Sequence, residues 1–230
     1  MLQLFLAQAR GPARNGDLLV DVIDTMLLMR AARGELPKGT IMEKALIETL
    51  STVAEALELE GVQYAIAGSI ASSFHGEPHT SVDVDLIVVA SVEQARRIAR
   101  QLSPRFYAPD DMLADAAQKR SFVNVVDNRS SLKVDISFIE RGGYLARTLD
   151  RRIKACIGSA VPEFWFVTAE DVILMKLLWR KDTHSAKQWD NALGVARVKG
   201  ARMDWKYLFE QAKTLGVEED LERLRDEAGI

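Results

Sequence analysis

The sequence has few of the features that mark exported or membrane-spanning proteins. Cys156 is the only cysteine among 230 residues, so no internal disulfide can form, and a lone thiol is typical of a reducing compartment, where it usually packs in the interior. The apolar residues 1–9 follow no basic segment, unlike a signal peptide. No uninterrupted apolar run approaches the roughly 20 residues of a membrane span. These absences predict a cytoplasmic protein.

An excess of one charge is also missing. The chain has 30 Lys and Arg against 33 Asp and Glu, a formal net charge of −3, so no overall field attracts it to nucleic acid or anionic lipid. Hydrophobic residues make up 48% and charged residues 27% of the sequence, which is typical of a soluble globular protein. Its length suits one α/β domain with a helical appendage. A small or locally bound substrate is favoured.

The first half of the chain changes from a helical to a strand-like period. Apolar residues recur at helical spacing over 17–33 and over 41–60, which predicts two amphipathic helices. Residues 62–67 then form a short apolar run with strand character. Gly68 and Ser69 break that run, and residues 70–74 resemble the first turns of a helix. The local prediction is strand, tight turn and helix.

Two aspartates alternate with apolar residues in the next segment, SVDVDLIVVA at 81–90. A period of two is typical of a half-buried strand and places Asp83 and Asp85 on one face. Residues 91–102 follow as a polar, basic helix. Ser91 as N-cap and Gln94 three residues later form a capping-box pattern.

A β-hairpin is predicted from residues 121–127 and 131–139, which flank a turn at 128–130. In the second arm apolar side chains alternate with polar ones, so Asp135 lies on the polar face. Because the same alternation occurs in the Asp83–Asp85 segment, Asp135 becomes a third carboxylate of that group if the two strands are neighbours.

The last third of the chain is predicted to be helical. Thr168 is a candidate N-cap with Asp171 three residues later, and further helices are expected near 185–197 and over 204–226. The predicted fold class is α/β (α+β), with a mixed sheet flanked by helices and a C-terminal helical domain. The predicted divisions are residues 1–40 for an N-terminal helical segment, 41–165 for the α/β domain and 166–230 for the helical domain.

The residues around the Gly68–Ser69 turn suit phosphate chemistry. A turn that ends a strand and opens a helix presents free N–H groups and a helix dipole to an anion, and glycine permits close approach. Thirteen residues separate Ser69 from Asp83. Paired carboxylates on one strand face repel unless a cation lies between them, and Mg²⁺ prefers such oxygen ligands. The set matches the parts that metal-assisted phosphoryl transfer requires.

This arrangement resembles the minimal nucleotidyltransferases of the polymerase-beta-like superfamily. The matching motifs are AIAGS at 65–69, DVD at 83–85 and KVDIS at 133–137. The segments TAEDVILMKLLWR at 168–180 and KQWDNALGV at 187–195 are similar to bacterial uncharacterised and abortive-infection-type members. The resemblance therefore extends over most of the chain and implies the nucleotidyltransferase fold, with 41–165 as the catalytic domain.

The resemblance implies a transfer of a nucleoside monophosphate from an NTP, such as ATP, to an acceptor with release of pyrophosphate. Asp83, Asp85 and Asp135 would bind Mg²⁺ or Mn²⁺, and Asp135 would help to take the acceptor's proton. Gly68 and Ser69 would bind the β- and γ-phosphates. Lys176 stands where relatives often have a lysine that faces the nucleotide, although long lysines in apolar helices also extend simply to reach water.

Several alternatives stay open. The acceptor is a tRNA or a protein if the chain is a toxin of the abortive-infection type, and a small molecule otherwise. His79 and Ser81 stand where many relatives have Arg and Thr, which favours a catalytically silent, nucleotide-binding or antitoxin-like protein that retains the fold. His75 and His79, in the predicted loop before the aspartates, also suggest zinc, but no cysteine accompanies them.

Overall fold

A computed structural model describes residues 41–77, 83–157 and 162–230. The predicted helix at 17–33, together with His79 and Ser81, lies outside these residues. The described helices are α1 (Ile41–Leu59), α2 (Gly68–His75), α3 (Val92–Leu102), α4 (Asp110–Lys119), α5 (Tyr144–Arg151), α6 (Ala169–Thr183), α7 (Ala186–Lys199), α8 (Trp205–Leu215) and α9 (Glu218–Ala228). The strands are β1 (Gln63–Ile66), β2 (Asp83–Val89), β3 (Phe106–Tyr107), β4 (Phe122–Asp127), β5 (Lys133–Phe138), β6 (Ile153–Cys156) and β7 (Glu163–Phe166).

The seven strands form one mixed sheet in the order β3-β4-β5-β2-β1-β7-β6. Strand β2 lies between β1, to which it is antiparallel, and β5, to which it is parallel. Strand β7 is parallel to β1 on the other side, and β6 closes that edge antiparallel to β7. The predicted mixed α/β fold is confirmed.

The alternation of apolar and polar residues explains how the central strands enter the core. Val84 and Leu86 of β2 and Val134 and Ile136 of β5 are almost completely buried, whereas the aspartates between them are only half-buried. Successive side chains of a strand point to opposite faces, so the carboxylates share the face away from these apolar residues. One face of the central strands therefore carries carboxylates instead of apolar side chains.

Local sequence signals locate several elements correctly. The helix predicted at 41–60 is α1, and the hairpin predicted at 121–139 is β4 and β5, which pair antiparallel. Ser91 and Gln94 form the predicted capping box with both hydrogen bonds present.

One helix prediction at the C-terminus is wrong. The sequence pattern predicts a single helix over 204–226, but α8 ends at Leu215 and α9 begins at Glu218. Gly216 caps α8 with a left-handed φ of 67°, a conformation that ends helices and favours glycine. Helices α4 and α5 and strands β3, β6 and β7 have no counterpart among the predictions. No helix in the described part of the chain is both long enough and apolar enough to cross a membrane.

Candidate functional site

Gly68 is the first residue of α2, and a single residue separates it from the end of β1, beside the aspartates of β2. Its φ is +61°, a left-handed conformation that side chains rarely adopt. A Cβ atom added to Gly68 would lie 1.8 Å from Oδ2 of Asp85. The backbone is held there by a 2.8 Å hydrogen bond from Ala67 N–H to the Asp85 carbonyl oxygen. Glycine is therefore required both by the conformation and by the close approach of the carboxylate.

Asp85 and Asp135 are direct register partners on the parallel strands β2 and β5. Adjacent strands lie about 4.8 Å apart, so the two residues occupy neighbouring positions on one face. Asp83 lies on the same face, two residues before Asp85 in β2, and is the register partner of Lys133. The sequence does not show whether the strand of Asp135 adjoins the strand of Asp83 and Asp85. In the structure the two strands are neighbours. All three predicted carboxylates lie together.

Burial makes the carboxyl groups of Asp85 and Asp135 difficult to ionise. It raises the pKa of the Asp85 carboxyl to about 6, an effect that the Lys176 ammonium opposes. The neighbouring carboxylates of Asp135 and Asp83 raise the Asp85 pKa further, and the backbone N–H of Ser69 lowers it by donating a hydrogen bond. Burial also raises the pKa of Asp135, which the Asn124 amide opposes. Close like charges in a desolvated position favour the binding of a cation.

Lys176 projects from the middle of α6 and is almost completely buried, with 3% of its surface exposed. Burial lowers the pKa of its ammonium to about 8. The charge of Asp85 opposes this shift, and repulsion from Lys187 adds to it. The ammonium therefore faces the carboxylates and does not simply extend into water. Its contact with a nucleotide stays a prediction.

Two polar residues at this site have no counterpart among the predictions. Asn124 of β4 is the register partner of Asp135 and donates a hydrogen bond from Nδ2 to its carboxylate. The sequence could have indicated Asn124, because the alternation of apolar and polar residues in the first hairpin arm places it on the polar face. Lys187, exposed in the first turn of α7, lies close enough to Lys176 to affect its pKa. Only the packing of α7 beside α6 reveals that relationship.

A metal ion fits part of this arrangement. Within residues 41–77, 83–157 and 162–230, no three His, Cys, Asp or Glu side chains are arranged to hold a metal ion. Mg²⁺, however, is usually held by one or two carboxylates, with waters and substrate phosphates completing its shell. The adjacent Asp85 and Asp135, both with pKa values raised by burial, provide such a pair. The three-carboxylate metal site stays a prediction.

The helix that carries Lys176 is anchored by a buried carboxylate. Asp171, in the first turn of α6, accepts hydrogen bonds from the hydroxyls of Tyr144 at 3.1 Å and Tyr207 at 2.7 Å. Thr168 Oγ1, at 2.9 Å, and Arg151 Nε, at 3.3 Å, bind its other oxygen. These bonds join α5, α6 and α8, so the helical region fixes the position of α6 relative to the sheet.

His75 is placed differently from the prediction. It is the last residue of α2 instead of a loop residue, and only 3% of its surface is exposed. Its Nε2 lies 2.7 Å from the carbonyl oxygen of Val167. Burial lowers the pKa of the imidazole to about 4, so the ring is neutral at pH 7. Among the described residues it belongs to no group of three or more His, Cys, Asp or Glu side chains that could hold a metal ion.

Comparison with known proteins gave remote structural likenesses. No family model and no curated protein matches the chain. The solution structure of the antibiotic-resistance factor ANT(2'')-Ia is 11% identical, covers 78% of this chain and 97% of its own, and gives a TM-score of 0.48. A crystal structure of ANT(2'')-Ia with adenylyl-2''-tobramycin is 10% identical, covers 74% and 98%, and scores 0.46. An antigenic nucleotidyltransferase-like protein from Paracoccidioides brasiliensis is 13% identical, covers 77% and 91%, and scores 0.42.

Proposed function

We propose that the protein is a metal-dependent nucleotidyltransferase that moves a nucleoside monophosphate from an NTP to a hydroxyl or phosphate acceptor. One observation carries the proposal. Asp85 lies at the meeting point of the Gly68–Ser69 turn, the Asp135 carboxylate and the Lys176 ammonium. An anion-binding turn, a carboxylate pair and a buried cation are the groups that a metal–polyphosphate complex needs.

The chain's own residues divide the task of binding the nucleotide. The amino end of α2 favours negative charge through its dipole and its free N–H groups. Gly68, with no side chain, lets the Asp85 carboxylate lie against the turn, so a metal ion held by Asp85 would lie beside a β- or γ-phosphate at the amino end of α2. Lys176 neutralises charge on the polyphosphate, and its buried position keeps the ammonium poorly solvated and its field strong.

The carboxylates organise the reacting atoms. Asp83, Asp85 and Asp135 would hold Mg²⁺ or Mn²⁺, which when bound neutralises charge on the triphosphate. In the transfer, the acceptor oxygen forms a bond to the α-phosphorus, and the bond from that phosphorus to the bridging oxygen breaks. Pyrophosphate leaves with the bonding electrons. Asp135, whose pKa burial raises, takes the acceptor's proton.

A catalytically silent, nucleotide-binding or antitoxin-like protein is the second candidate. The Ser69 N–H already donates to Asp85, and Lys176 already neutralises that carboxylate. A catalytically silent site would keep these contacts of Asp85 with Ser69 and Lys176. It would bind nucleotide weakly and without a metal ion. The acceptor of an active enzyme is, on the resemblance, a tRNA or protein for a toxin-like member and a small molecule for a metabolite-modifying one.

Calorimetry with each NTP, with and without Mg²⁺ or Mn²⁺, tests the proposal. The active-enzyme account expects metal-dependent binding that Asp85→Asn with Asp135→Asn abolishes. Asp115→Asn is the matched control, because it makes the same change in an exposed pair with Lys119. Metal-independent binding would favour the silent protein. No binding of any NTP to the folded wild type would exclude the active enzyme and leave the antitoxin-like protein that only retains the fold.

A further inference from the structure

A cavity of about 300 Å³ lies at the opposite end of α2 from Gly68. It is bordered by His75 at the end of α2, Ile153 at the start of β6, the first turn of α6 and the end of α7. Its volume is at the lower end of the range of small-molecule pockets. None of the residues assigned above to nucleotide or metal binding lines it.

The strand register places the cavity near the candidate active site but separate from it. Ile66 of β1 pairs with Leu86 of β2 on one side and with Phe166 of β7 on the other, and Phe166 pairs with Ile153. The cavity and the carboxylates therefore lie at the same edge of the sheet. At about 4.8 Å per strand they are roughly 10–15 Å apart.

The cavity wall has several hydrogen-bond donors with no protein acceptor in the described structure. The N–H groups of Asp171 and Val172 are both bonded to Thr168, which leaves the first two amides of α6, those of Ala169 and Glu170, without intrahelical acceptors. The ammonium of Lys199, at the end of α7, makes no hydrogen bond or ion pair among the described residues. These donors face one space at the positive end of a 15-residue helix.

Arg202 adds a second cation, and the nearby carboxylate does not cancel the positive charge. Arg202 donates from Nε and one terminal nitrogen to carbonyl oxygens of α7, and its other terminal nitrogen has no partner among the described residues. Glu170 also borders the cavity. Its carboxylate accepts the Asp204 N–H at 3.0 Å and lies 4.0 Å from Arg151. One carboxylate thus stands against the two cations Lys199 and Arg202, so the cavity keeps a net positive charge.

His75 gives the observation that points to a ligand. Because Nε2 faces the carbonyl oxygen of Val167 at 2.7 Å, this nitrogen carries the hydrogen of the neutral ring and Nδ1 is the acceptor. Nδ1 is buried and has no hydrogen-bond partner among the described residues, although His75 lines the cavity. A buried acceptor without a partner costs free energy until a donor arrives.

We propose that this cavity is a second binding site, for a small organic anion that also carries a hydrogen-bond donor. The acid group binds Lys199, Arg202 and the first amides of α6. The donor binds His75 Nδ1, and the apolar body packs on Ile153 and Met203. The site is independent of the proposed nucleotide site, because it uses none of the same residues.

Calorimetry with para-hydroxybenzoate tests the site, since this probe combines a carboxylate, an apolar ring and a hydroxyl donor. We expect saturable binding with a Kd below about 1 mM. Benzoate, which has no donor, and para-hydroxybenzyl alcohol, which has no charge, should bind more weakly. The ring ¹⁵N signals of His75 should shift as Nδ1 gains its donor.

Two substitutions separate this site from others. Lys199→Gln should weaken binding about tenfold or more, whereas Lys206→Gln, the same change at an exposed lysine outside the cavity, should leave it unchanged. Asp85→Asn with Asp135→Asn, which disables the proposed nucleotide site, should also leave it unchanged. The proposal is overturned if the probe does not bind, if Lys199→Gln has no effect, or if the aspartate substitutions abolish binding.

Discussion

Asp85 and Asp135 are register partners on parallel neighbouring strands, so two carboxylates occupy adjacent positions on one face of the sheet. Apolar packing fixes both strands, since Val84 and Val134 are the preceding register pair and are buried. The carboxylates cannot separate without disturbing the core. The fold thus holds in place a concentration of negative charge that its own residues only partly neutralise.

This repulsion predicts the effect of Asp135→Asn on stability. The amide keeps the size of the side chain but removes one of the like charges that oppose each other at this face, and like charges opposite one another in a sheet cost about 0.2–1 kcal/mol. We expect the free energy of unfolding to rise by about 0.5 kcal/mol at about pH 7.5. Urea denaturation measures it. A loss of stability above about 1 kcal/mol would show that the Asn124 hydrogen bond matters more than the repulsion.

Gly68→Ala should be one of the most damaging small substitutions. Any side chain is strained at φ +61°, and its Cβ would overlap the Asp85 carboxylate. The conformational strain alone costs about 1–2 kcal/mol. Gly61→Ala is the matched control, because Gly61 has a φ of +63° and nothing lies within 4 Å of the position that its Cβ would take. We expect Gly68→Ala to lower the free energy of unfolding by clearly more than Gly61→Ala; equal losses would contradict the close approach.

His75 predicts a pH dependence of stability. Burial lowers the pKa of its imidazole from 6.5 to about 4, and the charge of Lys199 adds to this shift. The Val167 carbonyl oxygen and the Glu170 carboxylate oppose it. The folded state thus binds the proton more weakly than the unfolded chain. The stability contribution is complete above about pH 6.5 and is lost as pH falls towards 4, by about 2–3 kcal/mol.

Urea denaturation between about pH 4.5 and 7.5 measures this contribution. His75→Gln should flatten the decline in the free energy of unfolding below about pH 6.5. His184→Gln, at an exposed position, should leave the decline as it is in the wild type. A decline that His75→Gln does not change would assign the effect to other groups.

Tyr207→Phe tests the hydrogen-bonded centre that anchors α6. The substitution removes the hydroxyl that donates to Asp171 at 2.7 Å and leaves the ring that Arg151 covers at 3.7 Å. Hydrogen bonds to charged groups contribute about 1.5–3 kcal/mol, so we expect a loss of about 2 kcal/mol in the free energy of unfolding. Tyr107→Phe, at a residue with 58% exposure, should change it by less than about 0.5 kcal/mol. Equal effects would contradict the anchoring role.

Local sequence patterns predict the part of the fold that carries the site. Period-two alternation places Asp83 and Asp85 on one face and Asp135 on the polar face of its own strand, and the structure joins those strands. The predicted roles of these carboxylates, of Gly68, Ser69 and Lys176, and of Mg²⁺ stay predictions.

Other features depend on contacts between distant segments, which a local pattern does not contain. The pairing of β1 with β7 and the approach of Lys187 to Lys176 are of this kind. The sequence predicts that His75 lies in the loop before the aspartate strand. In the structure α2 continues to that residue, which becomes buried against Val167. Gly216 is a capping signal that the sequence does contain, but apolar residues at helical spacing on both sides of it favour one continuous helix.

Transfer of radioactive label from NTP tests the central claim most directly. The protein is incubated with Mg²⁺ and NTP labelled at either the α- or the γ-phosphate, in the presence of bulk tRNA, a total protein extract or a small-molecule extract. We expect one acceptor pool to gain label from the α position only, with release of pyrophosphate, and Asp85→Asn to lose this activity while Asp115→Asn keeps it. Label transferred from the γ position, or no transfer from a protein shown to bind Mg²⁺ and NTP, would contradict the account.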